Sequence, residues 1–185
     1  MGAATITRTF DLLVEWVEKE VAPQLDYLLP SEGHVVEGQE LAYVHPAVYA
    51  NFVPTDGRLQ EGSYRFPFIA VQLVNGRDGL GSTRSLSVRI VLGIWVPGHF
   101  NNGEFADSMD GWRDLFNGLD LIVRSLQEAE TVADARIDTD AGISYGFFGE
   151  EDGVVIDQYP YFMGRVDFTL ECGAQPGSKR FENLL

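Results

Sequence analysis

Two long apolar runs flank a short loop with three glycines, NGRDGLGS, and this arrangement in residues 66–95 constrains the chain most. Two-residue alternation in the second run is typical of a strand with one face on a core. The alternating apolar residues are Leu86, Val88, Ile90, Leu92 and Ile94. The first run, 65–74, has the same strand composition. The pattern predicts a long β-hairpin.

The glycine-rich loop predicts a turn and not a phosphate-binding loop. A Walker loop needs Lys-Ser or Lys-Thr after its last glycine, and a dinucleotide loop must open a helix. Here the loop leads into TRSLSVRIVLGIW, which has strand composition. The glycines are therefore expected to permit positive backbone angles at a hairpin tip.

Apolar residues at helical spacing predict two further elements. One helix is expected over residues 9–25 with Thr9 as its N-cap, and a stronger one over 108–129, capped by Ser108 or Asp107. Gly118 within the second helix indicates close approach to a neighbouring backbone. Further strands are expected over 142–148 and 161–172, with a brief one over 40–44.

The order helix, hairpin, helix, hairpin predicts an α+β fold. We expect a two-layer sandwich, in which a mainly antiparallel sheet of about four strands carries both helices on one face. Residues 1–185 are expected to form a single domain, with 26–60 as an irregular insertion and 173–185 as a C-terminal tail. The other sheet face lacks a predicted cover, and oligomerisation is one way to bury it. Its expected residues are Arg89, Val91, Trp95, Arg165 and Thr169.

Composition excludes several classes of protein. A net charge of −15, from 28 acidic and 13 basic residues, argues against binding nucleic acid by phosphate neutralisation. Acidity serves solubility, or lines a passage along which DNA slides without sticking. The single Cys172 excludes an intramolecular disulfide, and its apolar neighbours predict a buried thiol. No apolar stretch approaches the roughly 20 residues of a membrane span, and the N-terminus does not resemble a signal peptide, so we expect a soluble protein.

No motif selects a catalytic, cofactor or metal site. His34, His45 and His99 lie in loop-like segments without a second ligand at regular spacing, which predicts surface histidines. The acidic residues of 138–152 depart from a calcium loop because Gly142 occupies a ligand position, so a solvated acidic turn is expected. We expect no enzymatic activity and no cofactor. The enzyme alternative would need paired carboxylates from the turn 149–153 and elsewhere.

Four segments carry a resemblance to one family, namely FPFIAVQLVNGRDG, SLSVRIVLGIWVPG, DGWRDLFNGLDLIVRSL and QYPYFMGRVDFTLE. They resemble the tail terminator (tail completion, or neck) proteins of long-tailed bacteriophages. The resemblance implies a virion protein, assembled in the host cytoplasm, that forms a ring, typically a hexamer, on the head-proximal end of the tail tube. Such a ring ends tube polymerisation and docks the head connector, while DNA passes through its lumen without specific binding.

On this resemblance the hairpin tip is the predicted contact surface with another subunit, the tube or the connector. Its predicted interface residues are Arg77, Asp78, Leu80 and Arg84, because a projecting turn with charges and one apolar residue suits docking. An ordinary exposed turn is the alternative for each of them. Two other functions stay open, namely another neck component, such as a head-tail joining or stopper protein, and a small acidic protein-binding module.

Overall fold

The computed structural model describes residues 5–31, 35–79, 83–132, 134–149 and 159–173. Two α-helices are described, α1 (Ile6–Trp16) and α2 (Gly111–Ala129). The described strands are β1 (Tyr27–Leu28), β2 (Tyr43–Val44), β3 (Ala47–Ala50), β4 (Phe68–Asp78), β5 (Thr83–Trp95), β6 (His99–Asn101), β7 (Glu104–Ala106), β8 (Thr131–Val132), β9 (Ala135–Ile137), β10 (Ser144–Phe147) and β11 (Tyr161–Gly173).

Seven of these strands form one curled, mixed sheet. Its order is β3-β4-β5-β11-β9-β8. β9 and β10 both pair with the edge of β11 that faces away from β5, β9 near the end of β11 and β10 nearer its middle. β3 pairs with β4 in parallel, whereas β4, β5 and β11 pair antiparallel. The predicted two-layer sandwich with about four strands is wrong, because the described fold is mostly β, with two further two-stranded sheets. Strands of two to four residues are too short to show a side-chain alternation in the sequence.

The main core lies between one face of this sheet and the two helices. The alternating aliphatic residues of β5 face it, as predicted, together with every second residue of β11. The helices add Phe10, Leu13, Leu115, Leu119, Ile122 and Leu126. Burying each such side chain contributes about 1.5–3 kcal/mol, which is what holds both helices on this face.

Helix α1 begins earlier than the sequence indicated. Thr5 is its N-cap, and the Thr5 hydroxyl accepts a hydrogen bond from the Arg8 N–H at 3.2 Å. The predicted cap, Thr9, is instead buried inside the helix and donates to Oδ1 of Asp134 at 2.7 Å. A π-helical turn (Val17–Val21) and a 3-10 turn (Ala22–Gln24) extend the helix, so its predicted end near residue 25 is confirmed.

Helix α2 confirms the stronger helix prediction, although its caps were wrong. Asp110 is the N-cap, and it makes no side-chain capping hydrogen bond. At Gly118 a β-carbon would lie 2.1 Å from Oη of Tyr27 and 2.6 Å from Cδ2 of Leu92. The predicted close approach is therefore present, but to side chains of β1 and β5 rather than to a backbone.

The segment 26–60 contains regular structure that the sequence did not indicate. β3 lies within it and extends the main sheet, with Ala47 opposite Phe68 and Ala50 opposite Val71. The brief strand predicted over 40–44 is β2, which pairs with β1. Of the predicted tail, only Gly173 lies among the described residues.

The second sheet face, called here the open face, is covered at one end. Phe68, Ala70 and Val91 form a small second cluster there. Partly buried residues pack on it, namely Tyr49, Val53, Phe66, Phe148 and Met163. The segment that follows β3 thus provides a cover that the sequence did not predict.

Candidate assembly surfaces

The described strands β4, β5 and β11 end together at the base of the hairpin tip. Asp78 pairs with Arg84 at the end of the hairpin, and Cys172 of β11 pairs with Arg84 on the other side. Arg77 and Asp78 are exposed. The fourth predicted interface residue, Leu80, lies outside the described residues.

A β-bulge in β4 decides which way the tip side chains point. The register shifts between Leu73 and Asn75, which leaves Val74 as the extra residue. Because a one-residue shift moves every later side chain to the opposite face, Arg77 lies on the open face. Asp78 lies on the helix side, opposite Arg84.

Arg84 holds the tip together from within the subunit. Its Nε and Nη2 donate to the two carboxylate oxygens of Asp78 at 3.0 and 3.1 Å, and its side chain is only 17% exposed. The hydrogen bond to Asp78 raises the pKa of Arg84. Such a bidentate pair satisfies both partners. Arg77, in contrast to Asp78 and Arg84, has no ion-pair partner among the described residues.

The buried thiol predicted at Cys172 is confirmed. Its sulfur donates a weak hydrogen bond to the Arg84 carbonyl at 3.7 Å, and burial raises the pKa of the thiol. This contact ties the end of β11 to the base of the hairpin tip.

Of the three glycines of NGRDGLGS, the structure describes Gly76 and Gly79, and these two lie in the hairpin, as predicted, but not for the predicted reason. Gly76 and Gly79 do not adopt left-handed backbone angles. Gly76 lies within β4, where a β-carbon would come within 3.1 Å of Cδ2 of Leu86. Gly81 lies outside the described residues.

A chain of aromatic rings runs from the start of α2 to the strand β10. The ring centroids of Trp112 and Phe116 are 6.3 Å apart, and those of Phe116 and Phe147 are 5.1 Å apart. Tyr145 lies on the same side of β10 as Phe147. Trp112 is 40% exposed and Tyr145 is 59% exposed. These four residues are called the aromatic edge.

The aromatic edge adjoins strand β10, which pairs with β11 alone within the described ranges. An unpaired strand edge beside exposed rings is a combination that soluble monomers avoid, because it invites association. The helical spacing of Trp112 and Phe116 could not reveal this surface, since the same spacing is typical of core positions.

Away from the small cluster of Phe68, Ala70 and Val91, the open face carries a group of ion pairs. Arg89 donates two hydrogen bonds to the Asp167 carboxylate, at 2.6 and 3.3 Å, and Nε of Arg165 lies 3.4 Å from the same carboxylate. The side chains of Arg89 and Asp167 are both 27% exposed. Two guanidinium groups thus share one carboxylate, and one positive charge is not neutralised within the cluster.

Two exposed arginines flank this cluster. Arg77 on β4 lies opposite Ser85 of β5, and Arg136 on β9 lies opposite Glu171 of β11. Both are on the open face, one to each side of the cluster. A groove of about 330 Å³ runs beside the cluster and is lined in part by the turn 141–144. The surface formed by Arg77, Arg89, Arg136 and Arg165 is called the arginine face.

A second groove, of about 810 Å³, lies beside the covered end of the open face. Aromatic residues line it, and the Phe66 ring centroid lies 4.7 Å from that of Tyr161. Arg65 and Asp56, 4.0 Å apart, supply charges at its wall. An apolar lining with a few polar groups is the usual composition of a groove for a small ligand or peptide.

The histidines are not gathered into one site. His45 Nδ1 lies 3.0 Å from Oδ1 of Asp26 in an exposed pair, and His99 is exposed in β6. His34 lies outside the described residues. In the part of the chain that the structure describes, no group of three or more histidine, cysteine or acidic residues is arranged to hold a metal ion.

The predicted acidic turn is described only in part. Oδ1 of Asp138 accepts hydrogen bonds from the N–H groups of Asp140 and Ala141, at 3.0 and 3.1 Å, and so stabilises a turn after β9. Residues 150–152 lie outside the described ranges. Neither described helix is both long and apolar enough to cross a lipid bilayer.

No protein-family model matches this sequence, and no curated protein is significantly similar to it.

Proposed function

We propose that this protein is a structural subunit that associates with copies of itself. More specifically, we propose that it forms a ring on the head-proximal end of a bacteriophage tail tube, as tail terminators do. The observation that carries the proposal is the aromatic edge, where Trp112 and Tyr145 are exposed beside the side of β10 that no described strand pairs with. Contact with another subunit would bury these rings and pair or cover the strand edge.

The proposed mechanism is geometric. A contact between two different surfaces of identical subunits closes into a ring when the rotation between neighbours divides a full turn. The closed ring covers the assembly surface at the tube end and leaves no site for the next tube ring. Its second face then receives the head connector, and the net charge of −15 favours passage of DNA without retention.

The test is sedimentation and negative-stain imaging of the purified protein with and without tail tubes. We expect rings at one end of the tubes, and a protein that stays monomeric and ignores the tubes would contradict the proposal. The double variant Trp112→Ser with Tyr145→Ser should keep the fold and lose the end-capping. Val36→Ser is a matched control, because Val36 is 65% exposed and lies outside the aromatic edge.

The predicted tip contact needs its own variant. Leu80→Asp adds a charge to the turn, and we expect it to weaken end-capping without unfolding the protein. Unchanged capping would remove the tip from the interface and leave the aromatic edge as the contact surface.

A small acidic protein-binding module is the second candidate, and the groove of about 810 Å³ favours it. Such a module would remain monomeric and bind a peptide through Phe66 and Tyr161. Another neck component, such as a head-tail joining or stopper protein, would use the same surfaces with a different neighbour. Binding to isolated connectors but not to tubes would identify that function.

A further inference from the structure

The groove of about 810 Å³ beside the covered end of the open face has room for large apolar side chains. Phe66 and Tyr161 form one wall, with ring centroids 4.7 Å apart, and Tyr161 is 38% exposed. Half-buried Leu29, Leu59 and Met163 line other parts of it. Aromatic and aliphatic walls of this kind accommodate an aromatic ring or a branched aliphatic side chain.

The hydroxyl of Ser31 lies at the wall of the same groove. Its oxygen is buried and makes no hydrogen bond to any described residue. Buried polar groups in folded proteins nearly always have a partner, and the main chain of a peptide offers both N–H donors and C=O acceptors. The groove therefore fits a polypeptide segment better than a purely apolar ligand.

The segment 174–185, which follows β11, carries side chains of the matching kind. It reads AQPGSKRFENLL and lies outside the described residues. Its large apolar residues are Phe181, Leu184 and Leu185, and they follow a Pro-Gly pair, which is typical of a turn or linker. The sequence thus joins an aromatic and two aliphatic side chains to the end of a long strand.

The length of β11 decides whether Phe181 can lie in the groove of its own subunit. Tyr161 and Gly173 are the two ends of this strand of 13 residues, so they lie about 40 Å apart along it, at about 3.3 Å per residue. Phe181 comes eight positions after Gly173, and a fully extended chain covers at most roughly 29 Å over that stretch. The ring of Phe181 therefore falls short of the wall that Tyr161 forms in the same subunit.

We propose that the segment 174–185 of one subunit docks in this groove of a second copy, with Phe181 against Phe66 and Tyr161. The inference rests on the proposed self-association, to which it adds a contact made by residues other than the aromatic edge. A buried aromatic anchor of this kind commonly carries much of the binding free energy of an interface. The docked segment also offers main-chain groups to the hydroxyl of Ser31.

The positions of the segment and the groove suit a ring. Gly173, from which the segment departs, pairs with Thr83 at the hairpin-tip end of the sheet. Tyr161 at the groove pairs with Trp95 at the opposite end. Docking between opposite ends of the sheet joins unlike surfaces of identical subunits, as closure of a ring requires.

A segment variant tests the donor side of the contact. Phe181→Ser with Leu184→Ser removes two of the large apolar side chains, and sedimentation should show association at least about tenfold weaker than in the wild type. Gln175→Ser with Asn183→Ser is the matched control, because it changes two residues of the same segment and leaves every large apolar side chain in place. The control should associate like the wild type.

A groove variant tests the acceptor side. Tyr161→Ser removes one wall of the groove and should weaken association by a similar factor. Tyr43→Ser is the matched control, because Tyr43 is 67% exposed and does not line this groove. Far-UV circular dichroism verifies that each variant folds, and Leu59→Ser takes the place of Tyr161→Ser if the latter unfolds.

A mixture and a peptide then show that the contact joins two copies. The segment variant keeps an intact groove and the groove variant keeps an intact segment, so an equal mixture should associate more strongly than either variant alone. A fluorescent peptide of residues 174–185 should bind the full-length segment variant, measured by anisotropy. Adding Tyr161→Ser to that protein should weaken peptide binding at least about tenfold, as should Phe181→Ser in the peptide.

Several results would overturn the inference. One is a peptide that does not bind the segment variant, and another is a Tyr43→Ser control that loses as much association as Tyr161→Ser. Binding of isolated connectors through Tyr161 without binding of the peptide would assign the groove to a different protein. If the wild type caps tubes and the segment variant caps equally well, the proposed function stands and this contact fails. If the mixture recovers association while the wild type ignores tubes, the contact stands and the tail function fails.

Discussion

Phe68 on β4 lies directly opposite Gly93 on β5, and its ring fills the space that a β-carbon on Gly93 would occupy. The nearest ring atom, Cε1, is only 2.2 Å from that position. Phe68 is also the centre of the small cluster on the open face and packs edge-on against Phe66 at 5.0 Å. Gly93 is therefore required by packing, and not by an unusual backbone angle.

The first prediction follows from this contact. Gly93→Ala should lower the free energy of unfolding by about 1–3 kcal/mol, because the ring of Phe68 must move out of a packed cluster. Urea unfolding measures the change. Gly146→Ala in β10 is the matched control, since nothing lies within 4 Å of a β-carbon there. Alanine restricts the unfolded chain, so the control should be neutral or slightly stabilising, and equal losses in both variants would refute the packing explanation.

The cap of α1 gives the second prediction. Thr5→Ala should lower the free energy of unfolding by about 1 kcal/mol, because it removes the hydroxyl that accepts the Arg8 N–H. Thr55→Ala provides the control, since Thr55 precedes a 3-10 turn without making a side-chain capping bond. Thermal unfolding of both variants measures the difference. A smaller effect at Thr5 than at Thr55 would show that the cap does not stabilise the helix.

The hairpin tip gives the third prediction, which separates fold from assembly. Arg84→Ala should lower Tm by roughly 2–4 °C, a modest loss for a chain of this size, because Arg84 bridges Asp78 and is largely covered. Arg77→Ala should leave Tm almost unchanged and weaken subunit association instead. Calorimetry and sedimentation of the same two variants measure both quantities. The reverse pattern would make Arg77 the structural residue and Arg84 the contact residue.

Long strands could be predicted from the sequence because their side chains repeat. The alternation from Leu86 to Ile94 placed every second residue of β5 on the core, where the structure has them. Short strands such as β3, β8 and β9 have no comparable repeat, and backbone pairing with distant strands determines them. The number of strands, and with it the fold class, was therefore beyond reach of local patterns.

The residues of the open face and of the hairpin tip could also be predicted only in part from the sequence. Alternation indicated that Arg89 and Arg165 lie on the open face. That both meet Asp167 depends on the register of β5 against β11, and Arg89 and Asp167 are 78 positions apart in the chain. The bulge at Val74 likewise places Asp78 on the helix side. Such a bulge leaves no signal in composition or periodicity.

The last prediction concerns alkaline pH and Tyr159. Burial, together with the hydrogen bond to Asp107 at 3.0 Å, raises the pKa of Tyr159 from 10.0 to about 12. Below pH 10 this tyrosine is protonated in both states, so its contribution to stability is fully present, and that contribution is lost as the pH rises from 10 through 12. Tyr159→Phe should therefore make the fall of the urea midpoint over this range shallower. Asp107→Asn should do so to a lesser extent, because burial remains. Identical pH profiles for the wild type and Tyr159→Phe would contradict the raised pKa.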